Sequence, residues 1–308
     1  MTGSAHAIET HRLTKRYGQA RGIDDLDLVV EAGEVFGFLG PNGAGKSTTI
    51  RTLLDFQRAT SGDAEILGLD VRRDSVAIHR RVGYLAGELR LFDTMTGDEH
   101  VRWFSRARGG HDEALTTSLI ERFQIAMDRP VKQLSKGNRQ KVGVLLAFMH
   151  RPELLILDEP TSGLDPLMQT VFEDLLRETV RDGRTVLLSS HSLDEVQRVA
   201  DRVAIIREGR LVVTDSVRHL RANAPRILRL RFDADVDPAL FAALPGVAQA
   251  ASRDGQIELH LTGELRPVLE TALRHPLVDL TARHADLDEL FRSYYAAPGS
   301  ERGPEEAS

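Results

Sequence analysis

Gly40-Pro41-Asn42-Gly43-Ala44-Gly45-Lys46-Ser47 has the spacing G-x-x-x-x-G-K-[ST], between a strand-like run, Glu34 to Leu39, and a helix-like run, Ser47 to Phe56. Residue types in this order suit the holding of phosphates. Glycines let backbone N–H groups turn inward around a nucleotide's β and γ phosphates, and the helix that follows presents its positive end to them. Lys46 adds a full charge, and Ser47 offers a hydroxyl to Mg²⁺. A glycine-rich turn can arise by chance, but this chain has lysine only at positions 15, 46, 132, 136 and 141, so one in this slot is informative. Gly40, Pro41, Asn42, Gly43, Ala44, Gly45, Lys46, Ser47 and Thr48 are the candidate nucleotide-binding residues. The loop alone does not separate an ATPase from a GTPase or a kinase.

A second cluster lies at Leu154-Leu155-Ile156-Leu157-Asp158-Glu159, an apolar strand that ends in two carboxylates. Buried strands do not end in adjacent acids without a cation or a reaction to serve; the alternative is a solvated strand end. Following a phosphate loop, Asp158 would join Ser47 in a Mg²⁺ shell, and Glu159 would polarise an attacking water.

Just before that strand stands Leu134-Ser135-Lys136-Gly137-Asn138-Arg139-Gln140-Lys141. With it the chain resembles the ATP-binding-cassette (ABC) ATPases, whose signature segment sits in the same place. Tyr17 in KRYG resembles the aromatic that stacks on adenine, Ser162-Gly163-Leu164-Asp165 the D-loop, and Ser190-His191 the switch histidine. Taken singly, Tyr17 could be an ordinary surface aromatic and His191 a structural histidine; in order, over residues 8 to about 218, the set is specific. The resemblance implies that His191 reaches the γ-phosphate or the attacking water and holds Glu159 in register. It also implies that Ser135, Gly137 and Asn138, at a helix N-terminus, receive a γ-phosphate held by another chain. One copy of each motif implies a homodimer.

Two departures from the family pattern matter. The usual LSGGQ reads Leu-Ser-Lys-Gly-Asn, so Lys136 replaces a glycine and Asn138 a glutamine; Lys136 is either a local device or a solvated charge. At the Q-loop, the glutamine position after Tyr84-Leu85-Ala86 holds Gly87, followed by Glu88. Glu88 either contacts the metal or the transport partner from a shifted position, or is a plain loop carboxylate. Both variants look like those of the branch that includes daunorubicin-resistance-type drug exporters, in which ATPase and permease are separate chains.

The elements that must position these residues can be read from periodicity. Ile8 to about Val30 alternates and is turn-punctuated, as antiparallel strands do. Asp93 to His150 is helical in character and opens on a Thr-Gly-Asp-Glu start signal. LLIL at 154–157 and TVLLS at 185–189 are apolar throughout, as in a parallel sheet covered on both faces, and helical segments alternate with them. After Leu220, RANAPR reads as a linker; strand, helix, strand, strand, helix, strand then follow, with Asp254-Gly255 as a hairpin turn, which is a ferredoxin-like order. The expected fold is α/β: a P-loop ABC-type nucleotide-binding domain over 1–220, with a mixed sheet core, an antiparallel β subdomain and a helical subdomain. A small α+β accessory domain is expected over 221–296, ending in an amphipathic helix, DLDELFRSYY, and a disordered tail over 297–308.

Composition bounds the partners. At 308 residues with 41% hydrophobic and 28% charged residues, two globular domains fit, and the net charge of −6 gives no electrostatic reason to expect nucleic acid. There is no cysteine, so neither disulfides nor thiolate metal sites form. The N-terminus lacks the apolar run of a secretory signal, and stretches such as Val144 to Met149 fall far short of the roughly 20 residues of a spanning helix. If the chain serves a membrane, as the resemblance implies, a separate multi-helix permease supplies the span, with this chain peripheral at the cytoplasmic face of the plasma membrane. The expected function is ATP hydrolysis powering export of a drug, antibiotic or lipid-like cargo. An import ATPase, or a soluble ABC protein acting on ribosomes or DNA, are the alternatives; the latter usually carries two cassettes or a long coiled coil, and neither is present. The C-terminal domain is regulatory, dimer-stabilising or a structural appendage.

Overall fold

Alternating residues at the start of the chain form β1 (His6–Tyr17), β2 (Ala20–Leu26) and β3 (Val29–Glu31), and both β2 and β3 pair antiparallel with β1. The computed structural model describes residues 6–222 and 226–284. β4 (Val35–Leu39), buried at every position, runs into the glycine-rich loop, and α1 (Lys46–Leu53) follows. β5 (Ser61–Ile66) returns to pair antiparallel with β1, and β6 (Leu69–Asp70) pairs with β5. α2 (Ser75–Arg81) then leads into β7 (Val82–Leu85).

The helical stretch holds α3 (Gly97–Arg108), α4 (Glu113–Phe123) and α5 (Lys136–Phe148). The start signal read at Thr96 is a capping box: Glu99 N donates to Thr96 Oγ1 at 3.2 Å, and Thr96 N donates to Glu99 Oε2 at 2.8 Å. The chain returns as β8 (Leu154–Asp158), α6 (Pro166–Arg181), β9 (Thr185–Ser190), α7 (Leu193–Val199), β10 (Arg202–Arg207) and β11 (Arg210–Ser216).

Strand order in the six-stranded sheet is β11-β10-β4-β9-β8-β7, parallel from β10 to β7, with β11 antiparallel at the edge. β4, β8 and β9 are buried at every residue, so they read as continuous apolar runs rather than alternating ones. Side chains such as Phe36, Phe38, Ile156 and Leu187 are fully buried, and each contributes about 1.5–3 kcal/mol to folding. This rigid sheet sets the geometry of the site, because the register pairs Leu39 with Ser190 and Asp158 with Ser189 at the carboxyl ends of the strands. In open α/β sheets that edge is where ligands bind.

The chain divides into two compact units, the first ending at Ser216 and the second starting at Val217. α8 (Val217–Ala222) takes in Arg221 and Ala222, so the helix runs two residues into the RANAPR stretch expected as a linker, and 223–225 lie outside the described residues. β12 (Arg226–Phe232), α9 (Ala239–Ala242), β13 (Val247–Arg253), β14 (Gln256–Leu261), α10 (Arg266–Ala272) and β15 (Leu277–His284) follow. Their antiparallel order, β13-β14-β12-β15, is the interleaved ferredoxin-like arrangement. Its own core gathers Leu228, Leu230, Phe241, Leu259, Leu261 and Val268. Asp254 and Gly255 both have positive φ, 51° and 73°, as a two-residue hairpin turn of this hand requires. The expected last helix and the tail over 297–308 lie outside the described residues.

Candidate active site

The loop between β4 and α1 holds its shape by close backbone approach. Gly45 has φ of 115°, and a Cβ there would stand 2.9 Å from Gly22 O; one at Gly40 would stand 2.5 Å from Ile206 O. Ala44 N donates to Pro41 O at 3.1 Å, and Gly209 N, in the turn between β10 and β11, donates to Ala44 O at 2.8 Å. No side chain caps α1, which leaves its first N–H groups for an anion. Lys46 is buried and folds back along the loop, its Nζ donating to Gly40 O at 2.6 Å and Pro41 O at 3.4 Å. Such charge-assisted bonds offset the burial of an ammonium group.

β8 delivers the carboxylates. Asp158 is buried; its Oδ2 accepts from Ser47 Oγ at 2.8 Å, and its Oδ1 accepts from Ser189 Oγ. Ser47 and Asp158 are hard oxygen donors side by side, a set that fits Mg²⁺. Among the described residues no group of three or more His, Cys, Asp and Glu side chains is placed to hold a metal. A hydroxyl beside a carboxylate suits an ion that takes its other ligands from phosphate and water, as Mg²⁺ does in phosphoryl-transfer sites. Bound there, Mg²⁺ would neutralise charge on the phosphates.

Glu159 leaves the strand with φ of 50°, a left-handed conformation uncommon outside glycine. Glu159 N still donates to Ser189 O at 3.1 Å. Its two carboxylate oxygens are held separately: Oε2 accepts from His191 Nδ1 at 2.7 Å, and Oε1 lies 3.5 Å from Lys46 Nζ. On β7, burial pushes the Tyr84 phenol up to about 12, with the charge of Asp158 adding to the effect and Arg51 opposing it.

Lys46, Ser47, Thr48, Pro41, Asn42, Gly43, Gly45, Tyr17 and Glu159 line one open cleft. Tyr17 is half exposed; its hydroxyl donates to Gln57 Oε1, and Lys15 Nζ sits 5.3 Å from the ring centroid. Gln57 Nε2 donates in turn to Thr48 O at 2.8 Å, tying the ring to α1. Gly22 lines the same cleft, and a Cβ on it would meet Tyr17 Cε2 at 2.9 Å.

Other expected residues stand apart from this cleft. Ser135 caps α5, accepting from Asn138 N at 3.2 Å and Asn138 Nδ2 at 3.3 Å; it is exposed, and neither it nor Gly137 nor Asn138 lines the cleft. Asp165 caps α6, its Oδ1 accepting from Met168 N at 3.0 Å. At the Q-loop position it is Gly87 that lies against Asp158, where an added Cβ would stand 3.2 Å from Oδ2, while Glu88 is exposed.

Sequence reasoning missed Ser189, Gln57 and Gly22. A serine ending a buried apolar strand beside the acids was a signal for Ser189, and a glycine inside a short strand was one for Gly22. Gln57 carried none.

Comparison with known proteins agrees with this geometry. A family model described as ABC transporter matches residues 23–162. The chain is 34% identical to the daunorubicin/doxorubicin resistance ATP-binding protein DrrA of Streptomyces peucetius, over 100% of this chain and 98% of that protein. It is 35% identical to the bacitracin transport ATP-binding protein BcrA of Bacillus licheniformis, over 73% of this chain and 74% of that one. A solved structure described as an ATP binding subunit of an ABC transporter superposes with a TM-score of 0.64 at 30% identity, covering 70% of this chain and 92% of that chain. With a phosphate loop, paired strand-end acids and a histidine gathered at the carboxyl edge of this sheet, the chain belongs to the ABC transporter ATPases, whose ATP hydrolysis is coupled to transport.

Proposed function

We propose that this chain is the energising subunit of a drug or antibiotic exporter, working as a homodimer beneath a separate membrane permease at the cytoplasmic face of the plasma membrane. Similarity to DrrA along the whole chain supports the exporter reading, as does similarity to BcrA. Among the described residues no helix is long and apolar enough to cross a membrane, which accords with a partner that supplies the span. The observation that carries the homodimer is that Ser135 and Gly137 lie off the cleft formed by Lys46, Ser47 and Glu159. A second chain is the simplest source of a signature helix facing that cleft.

In this reading Tyr17 stacks on adenine, the loop amides and Lys46 grip the β and γ phosphates, and Ser47 with Asp158 holds Mg²⁺. Glu159 orients the attacking water and accepts its proton, while His191 keeps the carboxylate turned toward the phosphate. Ser135 and Gly137 of the second chain close the far side, excluding bulk water. Closure brings the two chains together, hydrolysis releases them, and the permease follows that motion. Co-purification with a multi-helix membrane protein, followed by ATP-dependent accumulation of an anthracycline in inside-out vesicles, tests this. Uptake abolished by Glu159→Gln is the expected outcome. A permease that transports equally well without this chain contradicts the reading.

A further inference from the structure

Lys136 stands in the signature where the family commonly has glycine, and its side chain is engaged within its own chain. Nζ donates to Ser162 Oγ at 3.1 Å. Its stem lies across Gly163, where a Cβ would stand 3.2–3.3 Å from Lys136 Cγ, Cδ and Cε. Gly163 has φ of 84°, so side chains are disfavoured there on both counts. A Cβ on the next signature residue, Gly137, would stand only 2.7 Å from Gly163 O. One turn along α5, Gln140 Nε2 donates to Pro160 O at 2.8 Å in a buried contact.

These contacts fall on the loop that leaves Glu159, and Ser162 N donates to Glu159 O at 3.2 Å, closing a tight turn between the lysine's partner and the carboxylate residue. Contacts at 136, 137 and 140 hold the start of α5 and loop 159–165 together, so a displacement of one carries the other.

We propose that Lys136 is a positioning residue that latches the signature helix to the loop carrying Glu159 within one chain. The inference rests on the homodimer reading above, in which the signature serves one nucleotide and Glu159 the other. Loading of the signature by a γ-phosphate then passes to the carboxylate of the second site through the Lys136–Ser162 bond. Coupling of this kind needs a physically connected element that both sites displace, and helix start plus loop supply one.

The test is steady-state hydrolysis against ATP concentration for wild type, Lys136→Met, Ser162→Ala and the double variant. Lys136→Met keeps the stem over Gly163 and removes the ammonium group. The expected wild type is cooperative, with a Hill coefficient above 1. Each single variant lowers that coefficient toward 1 and kcat by about threefold to tenfold, and the double variant is no worse than the worse single, because both break one bond. ATP affinity at protein concentrations too low for pairing stays at the wild-type value. Loss in Lys136→Met with none in Ser162→Ala overturns the latch and points to Nζ acting on the opposite phosphate. Losses that multiply in the double variant also overturn it. Variants that stay as cooperative as the wild type contradict the latch alone, as does a non-cooperative wild type, whereas hydrolysis per chain that does not change with protein concentration contradicts the homodimer reading beneath it.

Discussion

The N-termini of α1 and α5 are both helix starts suited to a phosphate, yet they are finished in opposite ways. At α1 the backbone is uncapped by any side chain, Lys46 is buried, and Ser47 is bonded to Asp158, so charge and hydroxyl are fixed by partners in the same chain. At α5 the cap is Ser135 itself, exposed, its hydroxyl bonded to Asn138 in the first turn of the same helix. Preorganisation is thus complete at one end and waits at the other. A buried cation and a strained carboxylate need surrounding structure to hold them, whereas a capped, solvated helix start costs little to leave open. The contrast separates a gripping half, built by the folding of one chain, from a clamping half that the proposed function assigns to another.

Substitutions in the two halves should therefore fail differently. The largest effect is expected in the gripping half from Glu159→Gln, which keeps the shape and removes the proton acceptor. Hydrolysis should fall by about 10²- to 10⁴-fold with ATP still bound, as a phosphate-release assay beside a nucleotide titration would show. Unchanged turnover would remove Glu159 from the role. Lys46→Ala should weaken ATP binding itself by about 10- to 100-fold, read by fluorescent nucleotide titration, since charged hydrogen bonds to phosphate are lost. Normal affinity there would break the contrast at its stronger end.

Gly137→Ala strikes the clamping half. The added methyl would sit 2.7 Å from Gly163 O, so loop or helix must shift. Hydrolysis should drop about tenfold while single-chain ATP affinity is unmoved. A parallel loss of affinity in dilute protein would mean that the signature belongs to the gripping half after all.

The smallest effect lies in neither half. Burial pushes His150 down from 6.5 to about 4, with the charge of Arg108, 2.7 Å away, adding to it. Its folded-state value lies below its unfolded one, so the unfolded chain binds more protons between the two. Stability contributed by His150 is full above about pH 6.5 and declines as pH falls toward about 4. His150→Gln should flatten that decline in thermal melts without altering ATP binding; an unchanged slope would assign it elsewhere.

How much of this could be read from residue order depends on where each partner sits. The phosphate loop, the two acids and His191 were legible because each is a short local pattern at a strand end, and the ferredoxin-like order was legible because Asp254-Gly255 and the period changes mark its elements. Ser189 was not, because its meeting with Asp158 depends on the register of β8 against β9. The brace from Gln57 to Tyr17 joins residues far apart in the chain and has no local signature. Asp165, which the sequence places in the D-loop stretch, caps α6 through its side chain, a use that Asp before Pro-Leu-Met permits. At the Q-loop the close approach to Asp158 belongs to Gly87, whose lack of a side chain is the local signal for it, while Glu88, open between a contact and a plain loop carboxylate in the sequence, is exposed.

Sedimentation of Glu159→Gln, with and without Mg²⁺-ATP and again after adding Gly137→Ala, tests the two-half account most directly. The expected result is a monomer without nucleotide, a dimer with it, and return to a nucleotide-bound monomer when the glycine is replaced. A Glu159→Gln protein that stays monomeric while saturated with ATP, or a dimer indifferent to Gly137→Ala, would contradict it.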